Sequence, residues 1–86
     1  MRGAPLATAS LQLTPITISE LAVHIQNRTG LAVEYHMLRQ RIGRADASGK
    51  LPASMVRASL PGQGRLVRKV YLEDLDTWCE WFRSNA

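Results

Sequence analysis

Residues 16–44 read ITISELAVHIQNRTGLAVEYHMLRQRIGR, and this stretch decides the fold. Thr17 with Glu20 three residues later is a capping box, in which each side chain satisfies the other residue's free backbone N–H. Ile16 stands just before it, placed for a hydrophobic staple against Leu21. Leu21, Ala22 and Ile25 recur at helical spacing, and Gly30 ends the run because glycine turns there without steric cost. The pattern predicts a first helix over residues 18–27. A second is expected from 32 or 33 to 44, since Tyr35, Leu38 and Ile42 at i, i+3 and i+7 share one face. On the opposite face fall Val33, His36, Met37 and Gln40, flanked by Arg39 and Arg41. Gly43 weakens the helix end, and Ser48-Gly49 stops whatever remains.

Beyond residue 50 the texture changes. Pro52 and Pro61 argue against helix. Residues 53–58 and 66–72 read as strands, joined by the turn-rich segment SLPGQGR at 59–65, which makes a β-hairpin with a Gly-rich, Arg-flanked tip. A third helix is expected from 73 or 74 to 83. Glu73, Asp74 and Asp76 fall in its first turn, where the helix dipole favours negative charge. Leu75, Trp78, Cys79 and Phe82 form its apolar stripe, and Trp81 lies off that stripe, either at the rim of the core or at a protein contact. The order is helix, turn, helix, β-hairpin, helix, an α+β chain of one domain. Residues 1–14 (MRGAPLATASLQLT) read as a flexible N-terminal arm and 15–86 as the folded domain.

Charge is separated along this order. Between His36 and Lys69 stand eight basic residues, Arg39, Arg41, Arg44, Lys50, Arg57, Arg65, Arg68 and Lys69, against the single acid Asp46. After Lys69, Arg83 faces Glu73, Asp74, Asp76 and Glu80. The whole chain has a formal net charge of +4. A one-signed basic surface is the footprint of a polyanion binder. Two helices joined by a short Gly-containing turn form a helix-turn-helix, whose second helix enters a DNA major groove. Arginine donates two bonds to guanine, glutamine pairs with adenine, Glu34 could accept from a cytosine amino group, and His36 and Tyr35 reach bases or phosphates. Tyr35 also sits at core spacing, where packing competes with that role. The hairpin cations Arg57, Arg65, Arg68 and Lys69 extend the positive surface. Strand alternation sends Arg68 and Lys69 to opposite faces.

Other chemistries find little support. The lone cysteine, Cys79, permits no intramolecular disulfide, and a cytoplasmic protein is the simplest reading. No apolar run reaches the ~18 residues that span a membrane. Residues 1–14 lack the long apolar core of a signal peptide. His24 and His36 have only Cys79 as a further soft ligand, too few for zinc. No catalytic constellation converges, so neither enzyme activity nor a cofactor is expected.

Three motifs in order carry a resemblance. The run 16–22, ITISELA, resembles the opening of MerR-like winged helix-turn-helix domains. SGKLPA at 48–53 is similar to their junction between recognition helix and wing. VYLEDLDTW at 70–78 resembles the segment after the wing. Size and layout are most similar to the excisionases, or recombination directionality factors, of phages and other mobile elements. The resemblance implies a small winged helix-turn-helix, made of helix, turn, recognition helix, β-hairpin wing and C-terminal helix. It implies a non-catalytic, nucleoid-associated protein that binds repeated sites in double-stranded DNA near an attachment site. Such a protein bends the DNA, self-associates on it, and tilts a tyrosine or serine recombinase (the integrase) toward excision. Matched by position, Glu34, Tyr35, His36, Arg39, Gln40 and Arg41 fall on the recognition helix, and Arg65, Arg68 and Lys69 on the wing. Two alternatives stand beside it: a winged-helix transcription regulator, and a protein-binding module acting through the C-terminal helix.

Overall fold

The structure, a computed structural model, describes residues 13–59 and 66–84. It is a small α+β arrangement of three helices and a three-stranded antiparallel sheet. In chain order the elements are β1 (Pro15–Thr17), α1 (Ile18–Thr29), α2 (Tyr35–Ala47), β2 (Met55–Ser59), β3 (Leu66–Tyr71), a 3-10 turn (Leu72–Asp74) and α3 (Leu75–Ser84). The sheet order is β1-β3-β2.

The capping box at the start of α1 is formed in full. The Thr17 hydroxyl oxygen accepts the Glu20 N–H at 3.1 Å, and the Glu20 carboxylate accepts the Thr17 N–H at 2.8 Å. The Thr17 backbone N–H, and after it the Thr17 hydroxyl, donate to the ionised carboxylate and hold Glu20 below its ordinary range of titration. At the other end Gly30 adopts φ 76°, and its N–H returns to the Gln26 carbonyl at 2.9 Å, an αL cap. The turn to α2 is held by α1 side chains. The Thr29 hydroxyl accepts the Leu31 N–H, and the Gln26 side-chain carbonyl accepts the Val33 N–H, both at 3.1 Å.

α2 is displaced toward the C-terminus relative to its expected bounds: it begins at Tyr35, not at 32 or 33, and ends at Ala47, not at 44. Gly43 does not end it, and the helix continues to Ala47. The stop lies in a Schellman turn: the Lys50 N–H reaches the Ala45 carbonyl at 2.8 Å, the Gly49 N–H reaches the Asp46 carbonyl at 3.2 Å, and Gly49 takes φ 69°. The terminal hydrogen bonds outweigh the small helix penalty of one internal glycine.

β1 was not legible in the sequence. It pairs Pro15 with Tyr71, Ile16 with Val70 and Thr17 with Lys69, and as an edge strand it tolerates proline. Glu73 reinforces this edge. Its carboxylate accepts the Thr14 N–H at 2.8 Å and the Thr14 hydroxyl at 2.9 Å, while the Leu72 N–H reaches the Thr14 carbonyl. Glu73 thus belongs to the 3-10 turn as a clamp on β1, not to the first turn of α3. The Thr14 backbone bond keeps its carboxyl below the usual range. Thr14, the last residue of the expected arm, is tied to the domain; residues 1–12 lie outside the described residues.

The core gathers Ile16, Ile18, Leu21, Ala22, Ile25, Leu38, Ile42, Val70, Leu75, Trp78, Cys79 and Phe82. Leu21, Ile25, Leu38 and Ile42 are fully buried, and each contributes roughly 1.5–3 kcal/mol relative to exposure. Burial raises the Cys79 thiol pKa, in keeping with a small inert hydrophobe. Two positions differ from the helical-wheel expectation. Tyr35 is 39% exposed instead of packed, and Val33, expected outside, packs against the core. Tyr35 is the first residue of α2, so Val33 lies in the turn before it, where the wheel does not apply. Among the described residues no helix is long and apolar enough to cross a membrane.

Candidate nucleic-acid interface

α2 divides its polar side chains among three directions. Toward solvent it presents His36, Arg39, Gln40 and Arg44, all exposed. At its start Tyr35 leans on His36, with ring centroids 5.3 Å apart and a tilt of 59°. Among the described residues Arg39 and Arg44 form no ion pair with a carboxylate.

Toward the hairpin, α2 sends Asp46. The register sets Arg57 opposite Arg68, and Met55 opposite Val70 on the same face by strand alternation. Two arginines directly across a ladder repel. Asp46 lies between them: both Nε and Nη2 of Arg57 donate to its two carboxylate oxygens, and Arg68 Nε stands 4.0 Å from Oδ2. The only acid of the basic middle segment is therefore the tie between the end of α2 and the sheet. Lys69 projects to the other face of the sheet, in register with Val56 and Thr17.

Toward α3, the helix sends Arg41. Its guanidinium lies 4.8 Å from the Phe82 ring centroid and 5.5 Å from that of Trp81, and Nη2 donates to the Phe82 carbonyl at 3.4 Å. That carbonyl belongs to the last turn of α3, where a cation complements the helix dipole. Trp81 stands half-buried at the core rim, edge-on to Trp78 at 5.5 Å. Asp76 pairs with Arg28 at the end of α1.

Of the nine residues expected to touch DNA, Tyr35, His36, Arg39 and Gln40 form one exposed patch. Glu34 is exposed at its edge, but its Oε1 accepts the Met37 N–H at 3.1 Å and so caps α2. Arg41 and Arg68 are directed into internal contacts, and Lys69 lies on the sheet face away from Arg68. Arg65, with Gly62 and Gly64 of the hairpin tip, lies outside the described residues. Arg44 and Lys50, which are not among the nine, are exposed as well, and helical periodicity places Arg44 beside Gln40. Lys50 carried no such signal, because the Schellman turn alone brings it back alongside α2. Among the described residues no group of three or more His, Cys, Asp and Glu side chains converges as a metal site would require.

No protein-family model, curated protein or solved structure matches this chain.

Proposed function

We propose that this protein is a non-catalytic binder of double-stranded DNA, a winged helix-turn-helix in which α2 enters the major groove and the β2–β3 hairpin serves as the wing. One observation carries the reading. Both acids on or beside α2 are engaged internally, Glu34 at the helix N-terminus and Asp46 between two hairpin arginines, so the exposed polar side chains of α2 are His36, Arg39, Gln40 and Arg44, with Tyr35 and Met37 exposed beside them. Arginine and glutamine on one helix face suit guanine and adenine edges. The contact set on α2 is then Tyr35, His36, Arg39, Gln40 and Arg44. Arg41 and Arg68 act by holding α3 and the hairpin in place.

Within this class the resemblance of the three motifs favours an excisionase: protomers side by side on repeated sites beside an attachment site, bending the DNA and directing an integrase toward excision of a mobile element. The test is a gel shift at moderate salt on circularly permuted fragments flanking the protein's own gene. Stepwise retarded bands whose mobility depends on site position support the excisionase. A single sharp, unbent complex supports a transcription regulator of the same fold. Absence of any shift removes DNA as the partner and leaves a protein-binding module.

A further inference from the structure

A cavity of about 300 Å³ opens between the last turns of α2 and α3, lined by Arg41, Arg44, Ala45, Ser48, Lys50 and Trp81. We propose that it is a second binding site, one that takes a phosphate group. Three of its six lining residues are cations and none is a carboxylate. Arg44 and Lys50 are exposed and form no ion pair among the described residues. The guanidinium of Arg44 offers a planar fork that matches two phosphate oxygens, and the ammonium of Lys50 adds a compact point charge. Arg41 is held over the aromatic rings of α3 and lends a fixed positive charge to the wall. The Trp81 ring gives that wall an apolar surface, which lowers the local dielectric and strengthens each charge contact.

A helix C-terminus ordinarily repels anions. At this one three of the last four carbonyls are already satisfied. The Arg44 carbonyl accepts the Ser48 N–H at 3.1 Å and the Ser48 hydroxyl at 2.8 Å, and the Ala45 and Asp46 carbonyls accept from Lys50 and Gly49. The turn that satisfies them also reverses the chain at Gly49, and so sets Lys50 beside Arg44. Two residues apart on a helix, Arg44 and Asp46 project to opposite flanks, about 160° from each other. Asp46 faces the hairpin, so the cavity lies on the flank the hairpin does not reach.

Phosphate chemistry has two sources here. One is a phosphodiester of duplex DNA beside the groove occupied by α2, which rests on the function proposed above. The other is a free phosphoryl group, which does not. The experiment compares the wild-type protein with an Arg44→Gln/Lys50→Gln variant, whose thermal midpoint should be unchanged because both side chains are exposed. For the DNA source, the slope of log affinity against log salt falls by about two in the variant, and affinity drops alike for all sequences. For the free source, pyrophosphate shifts the amide resonances of residues 44–50 and the Trp81 indole resonance in the wild type, and this response vanishes in the variant. An unchanged salt slope together with no pyrophosphate response overturns the site, as does a response that persists in the variant. If the wild-type protein binds no duplex, the DNA reading falls by itself, and the pyrophosphate titration still decides the cavity.

Discussion

The two flanks of α2 and its outward face carry the same kind of side chain put to different uses. On the hairpin side, Arg57 and Arg68 converge on Asp46, whose carboxylate cancels one of their two positive charges. Elsewhere on the exposed surface of α2, Arg39 and Arg44 have no carboxylate partner among the described residues. A count of charges along the chain treats these arginines alike. The comparison teaches that net charge marks a polyanion binder, while pairing decides which cations remain to meet it.

The largest expected effect tests the outward face. Arg39→Ala lowers DNA affinity by about 1–3 kcal/mol and relaxes base preference if the guanidinium reads a base, or weakens all sequences alike if it meets phosphate. Its thermal stability stays within about 0.5 kcal/mol of wild type. Arg41→Ala reverses the pattern, with stability falling by about 1 kcal/mol through loss of the ring and carbonyl contacts and the intrinsic base preference unchanged. Thermal melts beside binding curves on matched and mismatched sites separate the two. Equal effects of both substitutions on both readouts would erase the distinction between internal and outward cations.

Next comes the Asp46 cluster. Asp46→Ala leaves Arg57 and Arg68 facing each other unbridged, and costs about 1–2 kcal/mol, seen as a thermal midpoint lower by several degrees in a domain of this size. Asp46→Ala combined with Arg57→Ala recovers part of the loss. A double-mutant cycle measures that coupling, and additive losses would mean that the tie is only geometric.

Gly43 offers a smaller and opposite effect. A Cβ at this position meets nothing within 4 Å. Gly43→Ala therefore stabilises α2 by about 0.5–1 kcal/mol through helix propensity, measured as a higher denaturant midpoint with unchanged m-value. A destabilised variant would show that residue 43 has a packing role inside the chain.

The weakest effect is that of pH. Glu73 and Glu20 titrate below the ordinary carboxylate range in the folded protein. A depressed folded pKa contributes stability that is present above the unfolded value and lost as pH falls through the folded one. Thermal midpoints should therefore decline as pH drops below about 4. Glu73→Gln should flatten part of that decline, and an unaltered pH profile in Glu73→Gln would detach the Thr14 clamp from stability.

Much of the local structure was readable in advance. The capping box at Thr17 and Glu20, the glycine stop at Gly30, the buried stripe of Leu75, Trp78, Cys79 and Phe82, and both hairpin strands follow from interactions within a few residues, so the sequence alone determined them. The basic, acid-poor character of the middle segment was determined in the same way. Tertiary structure decided what depends on distant partners. β1 exists only because Val70 offers Ile16 a ladder. Glu73 clamps Thr14 across 59 positions of chain. Arg41 and Arg68 were drawn inward by Phe82 and Asp46, and Tyr35, the first residue of α2, stays exposed while Val33 in the preceding turn packs against the core. The physical reason is common to all of them. Caps and periodicity are set by the backbone's own short-range hydrogen bonding and geometry, whereas the pairing of a long charged side chain is a competition among every partner that folding brings within its reach.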